Sequence, residues 1–370
     1  MRILFAPNSF KGSISARDIC ARASFLSVAH DVKFMPFSDG GDGVLDVFSA
    51  SFPSAKIYKV KAKDALGRTK EAPYLFLPDG NTCVIESAKV CGLGELKKSE
   101  LDIMHASSYG IGQVIKAAYK KGARTFYIGL GGVAFNDGGT GMAKALGYKF
   151  FDASGREIGT DIKTLRFLTG IKKGSFWGDI KVYGLSDVDN PLLGEKGSAR
   201  IYGPQKGANA AQVAELEEAM AALCRAAKKG LGVNINTRHC GAAGALGAGL
   251  KGFLGGKLVS GAPFIAARLN LTSAVKQADL IITGEGKLDG QTFYGKGPFY
   301  ICDTARRLGK PVIFICGLNE IKDKALLSKY SIIKVVETSR MAGSVDKSYK
   351  KAGFYIQAAL KDLFGEKGKI

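Results

Sequence analysis

The chain is poor in the residues that build metal sites and disulfide scaffolds. Its three histidines share no metal-ligand spacing, which argues against a zinc centre. Its seven cysteines, Cys20, Cys83, Cys91, Cys224, Cys240, Cys302 and Cys316, are far apart and odd in number, and none form a C-x-x-C pair. That pattern excludes a disulfide framework and points to a reducing, cytoplasmic setting. No apolar run reaches the roughly 18 residues a membrane helix needs, and the Gly/Ala tract Gly241–Leu250 is too short and too glycine-rich. No membrane partner is expected. The apolar opening, Met1 to Ala6, is too brief for a signal peptide and reads as a first strand. Acidic residues are in deficit, 33 against 53 Lys and Arg, for a net charge of +20. Such a charge attracts nucleic acid or an anionic substrate. The basic residues are dispersed, with modest clusters at Lys116–Arg124, Lys163–Lys173 and Lys347–Lys351. They form no tail and are not interleaved with stacking aromatics. Solvated surface is the plainer reading, and a basic nucleic-acid-binding protein is the lesser alternative.

A chain of 370 residues exceeds one ordinary core, so two domains are expected. Short apolar strands alternate with helical stretches at both ends: Ile3–Ala6, Lys33–Phe37, Thr125–Leu130, Leu280–Thr283, Val312–Cys316 and Ile332–Val335. This alternation predicts an α/β fold, a doubly wound parallel sheet. Ser15 and Asp18 are spaced to cap a helix from about Ser15 to Ala29. Residues 54–86 break the pattern and read as an antiparallel meander. Residues 148–264 also fit poorly as simple βα units, although an alanine-rich helix is expected over Ala210–Lys229. The resulting division places 1–50, 107–147 and 265–370 in the doubly wound domain. It places 51–106 and 148–264 in an inserted α/β domain with a mixed sheet.

The most informative stretch is Ile128 to Gly147, where Gly129, Gly131, Gly132, Gly138, Gly139 and Gly141 surround Asn136 and Asp137. Glycines let backbone N–H groups face a ligand, and a helix expected from Thr140 would favour an anion at its start. Other polar clusters also follow predicted strands: Asn8-Ser-Phe-Lys-Gly12, Asp39-Gly-Gly-Asp-Gly43, Ser186-Asp-Val-Asp-Asn-Pro191 and Gly284-Glu-Gly-Lys-Leu-Asp-Gly-Gln291. One Asp-Gly pair is more often a turn than a site. Several at carboxyl ends of parallel strands converge on one edge. The residue types suit phosphoryl transfer, which needs cations on phosphate oxygens, carboxylates for magnesium and for the attacking hydroxyl, and a backbone cradle. Lys11, Lys206, Lys287 and Lys296 are the candidate cations, and Asp137, Asp187, Asp189 and Glu285 the candidate carboxylates. Asp187 and Asp189, two apart at a strand end, are expected to point the same way. Gly290 to Lys296 has the spacing of a phosphate-binding P-loop, but Gly297 stands where Ser or Thr belongs, so the spacing is a coincidence. Gly284 to Asp289 likewise lacks the third glycine of a dinucleotide fingerprint.

Taken in order, these motifs resemble the glycerate kinases of the bacterial type I family. The resemblance runs through Ala6–Gly12, Asp39–Gly43, Ser107–Gly110, Gly129–Gly139, Asp187–Leu192, Tyr202–Ala208, Gly241–Gly244 and Ile282–Lys287 with Asp289. It implies a flavodoxin-like domain joined to a second α/β domain. It also implies ATP-dependent, magnesium-assisted phosphorylation of D-glycerate, giving 2-phosphoglycerate, by a monomer or homodimer. In this reading substrate and ATP meet in a cleft between two domains. Lys11 and Ser9 hold the carboxylate or the transferring phosphate, Asp189 is the base and Asp187 binds the metal. Asp39, Asn136, Asp137, Gln205 and Lys206 line the substrate. Gly138, Gly139, Gly284, Glu285, Gly286, Lys287, Asp289 and Lys296 cradle the nucleotide. Asn8 and Asp42 stand where the family usually has Asp and Glu. Val133 and Phe135 replace two hydroxyl residues, which leaves open a kinase for a different small hydroxy acid.

Overall fold

The computed structural model describes residues 1–174, 178–293 and 297–365. Its strands, in chain order, are β1 (Arg2–Pro7), β2 (Asp31–Phe34), β3 (Lys56–Lys63), β4 (Thr69–Phe76), β5 (Thr82–Glu86), β6 (Thr125–Leu130), β7 (Lys149–Phe151), β8 (Gly170–Lys172), β9 (Lys181–Ser186), β10 (Lys257–Ser260), β11 (Leu280–Leu288), β12 (Val312–Asn319) and β13 (Ile332–Glu337). The chain divides into two compact units. Unit 1 is Met1–Asp39, Asp46–Pro53 and Gly261–Ile370, and unit 2 is Gly40–Leu45 and Ser54–Ser260.

Unit 1 holds a five-stranded sheet in the order β13-β12-β11-β1-β2, parallel throughout. Counted within the unit this is the 2-1-3-4-5 order of flavodoxin-like folds, whose ligand crevice opens where the winding reverses. That point lies between β1 and β11. Strands buried on both faces read as continuous apolar runs, as in Ile3–Ala6, Leu280–Ile282 and Val312–Cys316. Ile19, Leu26, Ile356 and Leu360 cover them from the helices. Ser15 caps the first helix, its Oγ accepting the Asp18 N–H at 3.0 Å. That helix ends at Arg22 and a 3-10 turn follows over Ser24–Val28.

Unit 2 is built on a six-stranded mixed sheet, β10-β9-β6-β5-β4-β3, with a separate β7-β8 hairpin. The expected meander is there: β3, β4 and β5 pair antiparallel. Beyond it, β5, β6, β9 and β10 run parallel. This corrects the placement of 107–147, since β6 lies between β5 and β9 in unit 2. The helix Tyr109–Lys120, which precedes β6, lies there too, with Gly110 so close to β3 that a Cβ would stand 1.8 Å from the Lys63 carbonyl oxygen. Residues 40–45 also belong to unit 2. Glu86, at the end of β5, accepts the N–H groups of Gly43 (3.0 Å) and Leu45 (3.1 Å).

Among the described residues no helix is long and apolar enough to cross a membrane. All seven cysteines are free. Burial pushes the thiols of Cys20, Cys83, Cys91, Cys302 and Cys316 well above the ordinary range.

Candidate active site

In unit 2 the carboxyl ends of β6 and β9 carry the polar residues. After β6 the chain turns through Asn136 and Asp137 into a helix, Thr140–Ala145. Asp137 is fully buried. Its carboxylate accepts the Ser108 N–H and Oγ–H, both at 2.8 Å, and the N–H groups of Gly139 (3.0 Å) and Gly141 (3.1 Å). Burial raises its pKa, against the pull of these donors. The anion expected at this helix start is therefore the chain's own Asp137, which ties Ser108 to the turn. Both its oxygens are engaged by these donors. Gly138 and Gly139 lie against closely packed neighbours. A Cβ on Gly138 would stand 2.3 Å from Leu223 Cδ2, and one on Gly139 2.8 Å from Gly249 Cα. Both glycines permit tight helix packing in a left-handed backbone.

Asn136 is different. It has no exposed surface, and neither Oδ1 nor Nδ2 has a hydrogen-bond partner. A buried polar group left so costs about 1–3 kcal/mol, and such groups in native proteins call for an explanation. Beside it, Lys206 is 3% exposed. Its Nζ donates to the Phe135 carbonyl oxygen at 2.6 Å. Burial lowers its pKa to about 7, with the Asp137 charge acting weakly in the opposite sense. Gln205, its neighbour in the 3-10 turn Pro204–Lys206, faces solvent.

The Gly241–Gly244 motif completes this cluster. The helix Ala242–Leu254 is broken near its start by Ala243 (φ 52°), Gly244 (φ 61°) and Ala245 (φ 62°), all left-handed. Such backbone costs an alanine roughly 1–2 kcal/mol and gathers at functional sites. Glycine is required at 244, because a Cβ there would lie 2.0 Å from the Phe135 oxygen and 3.0 Å from Lys206 Nζ.

Strand β9 ends at Ser186, so Asp187 and Asp189 lie beyond it and alternation does not align them. Asp187 is exposed and sits by residue 41, where a Cβ on Gly41 would be 4.0 Å from its Oδ2. Asp42 Oδ1 is close to the same glycine contact, 3.6 Å from a Cβ on Gly131. Asp189 is instead gripped by Arg238, which donates Nε–H to Oδ1 (2.8 Å) and NH2 to Oδ2 (3.1 Å). His239 donates from Nδ1 to the Val188 oxygen at 2.7 Å and lies 3.5 Å from the Asp189 carboxylate. Asp189 thus ties the Arg238–His239 segment to the end of this loop. Burial, then the Asp187 charge, raises the Tyr202 hydroxyl to about 12. Tyr202 donates to Asn190 Oδ1 at 2.7 Å.

In unit 1 the clusters flank the β1–β11 reversal. Asn8 donates its N–H to the Gly284 oxygen at 2.9 Å, and its Oδ1 accepts the Ser9 N–H at 2.8 Å. Lys11 is exposed at the tip of a tight turn closed by Phe10 and Ile14. Tyr349 holds that turn, its hydroxyl donating to the Gly12 oxygen at 2.9 Å. Asp39 is half-buried at the end of the segment following β2. The expected cradle Gly284–Lys287 is not a loop but the second half of β11, which runs to Leu288. A Cβ on Gly284 would stand 1.9 Å from the Ile315 oxygen, so this glycine serves strand packing. Glu285 is buried. Lys287 pairs with Glu320 at 3.0 Å and Asp289 at 3.6 Å, which raises its pKa. Asp289 Oδ1 accepts the Thr292 N–H at 3.2 Å. Lys296 lies outside the described residues.

Among the described residues no three His, Cys, Asp or Glu side chains group as a metal cage. Magnesium needs only one or two carboxylates beside substrate phosphates, and Asp187 and Asp42 are carboxylates beside the Gly41–Gly131 contact.

A model of the glycerate kinase family matches residues 3–365. The chain belongs to the glycerate kinase family. It is 34% identical to the glycerate 2-kinase of Escherichia coli over 360 residues, 95% of this chain and 94% of that one. It is 39% identical to a glycerate kinase of Halalkalibacterium halodurans over 325 residues, 85% of each. A crystal structure described as a glycerate kinase 2 from Salmonella typhimurium LT2 superposes with a TM-score of 0.80 at 30% identity, covering 98% of both chains. As a member of the glycerate kinase family the chain is an enzyme, a kinase that transfers phosphate to an alcohol group. Its two departures in the β6 turn, Val133 and Phe135, are 2% and 0% exposed and belong to the core of unit 2. Phe135 lends its carbonyl oxygen to Lys206 Nζ.

Sequence reasoning missed Ser108, Arg238, His239 and the strain at Ala243 and Ala245. Ser107–Gly110 and Gly241–Gly244 were visible as motifs. Only the fold shows that the first supplies Asp137's donors and the second packs on Lys206.

Proposed function

We propose that this family member phosphorylates D-glycerate with ATP, giving 2-phosphoglycerate. The observation that carries the reading is the cluster at one sheet edge of unit 2: a buried lysine, a buried amide lacking partners, and the exposed carboxylate Asp187. In this assignment Asn136 and Lys206, with Gln205 at the rim, hold the hydroxy acid. Asp187 accepts the proton of the attacking hydroxyl, a role worth roughly 10²–10⁴ in rate. In unit 1 Lys11 and Ser9 neutralise and orient the transferring phosphate, and Asp39 is assigned to the substrate. Lys287, held by Glu320 and Asp289, and Lys296 serve the nucleotide phosphates. Magnesium, held by Asp187 and Asp42 when bound, would neutralise charge on the phosphate oxygens. Asp189 positions this loop through Arg238 rather than taking the proton. ADP release from ATP with and without D-glycerate, followed by phosphorus NMR of the product, tests the reading. Turnover dependent on D-glycerate supports it, and a product phosphorylated at the 3-hydroxyl would overturn the position. Absence of turnover would overturn the activity.

A further inference from the structure

We propose that Lys206 and Asn136 form the socket for the substrate's carboxylate, and that filling the socket delivers a proton to Lys206. This deepens the proposed function and rests on its hydroxy-acid substrate.

Three observations converge. Lys206 spends one N–H on the Phe135 carbonyl, the carbonyl that begins the Asn136 peptide. Its ammonium form has further donors to offer. Asn136, the next residue, has an amide donor and an amide acceptor buried without partners. Against Lys206 Nζ and the Phe135 oxygen lies the left-handed turn Ala243–Ala245, where residue 244 must be glycine to clear them. A carboxylate offers what the place lacks, a negative charge and acceptors for Lys206 and for Asn136 Nδ2. The backbone beside the socket is left-handed at Ala243 and Ala245, a conformation that gathers at functional sites.

The electrostatics give the direction of the proton. Asp137 is the titratable group that acts on Lys206, and its oxygens are already engaged by Ser108, Gly139 and Gly141. Burial therefore dominates, and the amine titrates near 7. Above that pH the free protein holds mostly neutral Lys206. An entering carboxylate favours the ammonium form, so one proton is taken from solvent as the anion binds. No bond to carbon changes. The same device discriminates against neutral polyols, which bring no charge to support the ammonium.

Calorimetry of D-glycerate binding at pH 8, in two buffers of different ionisation enthalpy, reads the proton directly. We expect uptake of about 0.9 proton per substrate, the fraction neutral one unit above the free pKa, falling to about 0.1 at pH 6. In Lys206→Met the uptake vanishes and KM for D-glycerate rises about 100-fold, while KM for ATP stays unchanged. Turnover of D-glycerate by the wild type without proton uptake at pH 8 overturns this proposal and leaves the activity standing. Absence of turnover overturns the activity first. Because uptake is measured on the wild type, the result stands even if the variant folds poorly.

Discussion

The two units present their candidate lysines in opposite ways. At the edge of unit 1, Lys11 is exposed on a turn tip and Lys287 pairs with two carboxylates in solvent. At the edge of unit 2, Asn136, Asp137 and Lys206 are buried. Charges in solvent are screened and add little to stability. Buried polar groups weigh heavily on it, whether satisfied or not. Changes at Lys11 and Lys287 should therefore appear in turnover alone, and changes at Asn136, Asp137 and Lys206 in turnover and stability together. Asp187 is an exception within unit 2, because it is exposed.

That exception gives the largest expected effect. Asp187→Asn should lower kcat about 1,000-fold with a melting temperature close to wild type. A variant retaining a tenth of the activity would remove Asp187 from the reacting centre. Asp137→Ala should act the other way round. It leaves the donors of Ser108, Gly139 and Gly141 buried without an acceptor, at a cost of about 3–5 kcal/mol, measured by urea unfolding. A loss below 1 kcal/mol would mean that the carboxylate is not what holds this turn.

Lys206→Met tests the same contrast with the sign reversed. Burial depresses the folded pKa from the usual lysine value to about 7. The unfolded chain thus keeps this proton up to the ordinary lysine range, while the folded chain releases it above about 7. The group's contribution to stability is present above the unfolded pKa. It is lost as pH falls toward 7, by an amount on the order of 4 kcal/mol. Methionine removes that loss but leaves the Phe135 carbonyl without its donor, at about 1–3 kcal/mol. The variant should be more stable than wild type at pH 7, with the advantage fading as the pH rises toward 10. A variant less stable at pH 7 would make Lys206 a structural strut. In unit 1, Lys11→Ala should cut kcat/KM about 100-fold and leave unfolding unchanged.

The same contrast explains what the sequence disclosed. Unit 1 follows local rules: apolar runs bounded by polar turns gave β1, β11 and β12, and alternation gave a parallel sheet. The placement of 107–147 failed because a βα repeat does not say which sheet its strand joins. Gly284–Lys287 failed because Gly-x-Gly reads as a turn, whereas Gly284 lets β12 approach β11. The glycines around Asn136 stand out in the sequence, but their packing does not. At Gly138 and Gly139 the neighbour is a helix, which no local pattern records. Asp137's donors come from Ser108, nearly thirty residues away, and Lys206's acceptor from Phe135, some seventy away. Burial and long-range partners of this kind belong to the folded chain.

The smallest effect concerns the turn beside Lys206. If Ala243 and Ala245 are held in a costly conformation, glycine relieves roughly 1 kcal/mol at each. Glycine also adds freedom to the unfolded chain, which offsets about 0.4–1 kcal/mol. Ala243→Gly and Ala245→Gly should therefore be neutral or slightly stabilising in urea unfolding. The control is Ala221→Gly, within the regular helix Ala210–Leu231, where the same change should cost about 1 kcal/mol. Equal losses at all three positions would show that the turn carries no strain. A gain at 243 or 245 beside a loss at 221 would show that unit 2 holds this turn against its own preference, next to its buried lysine.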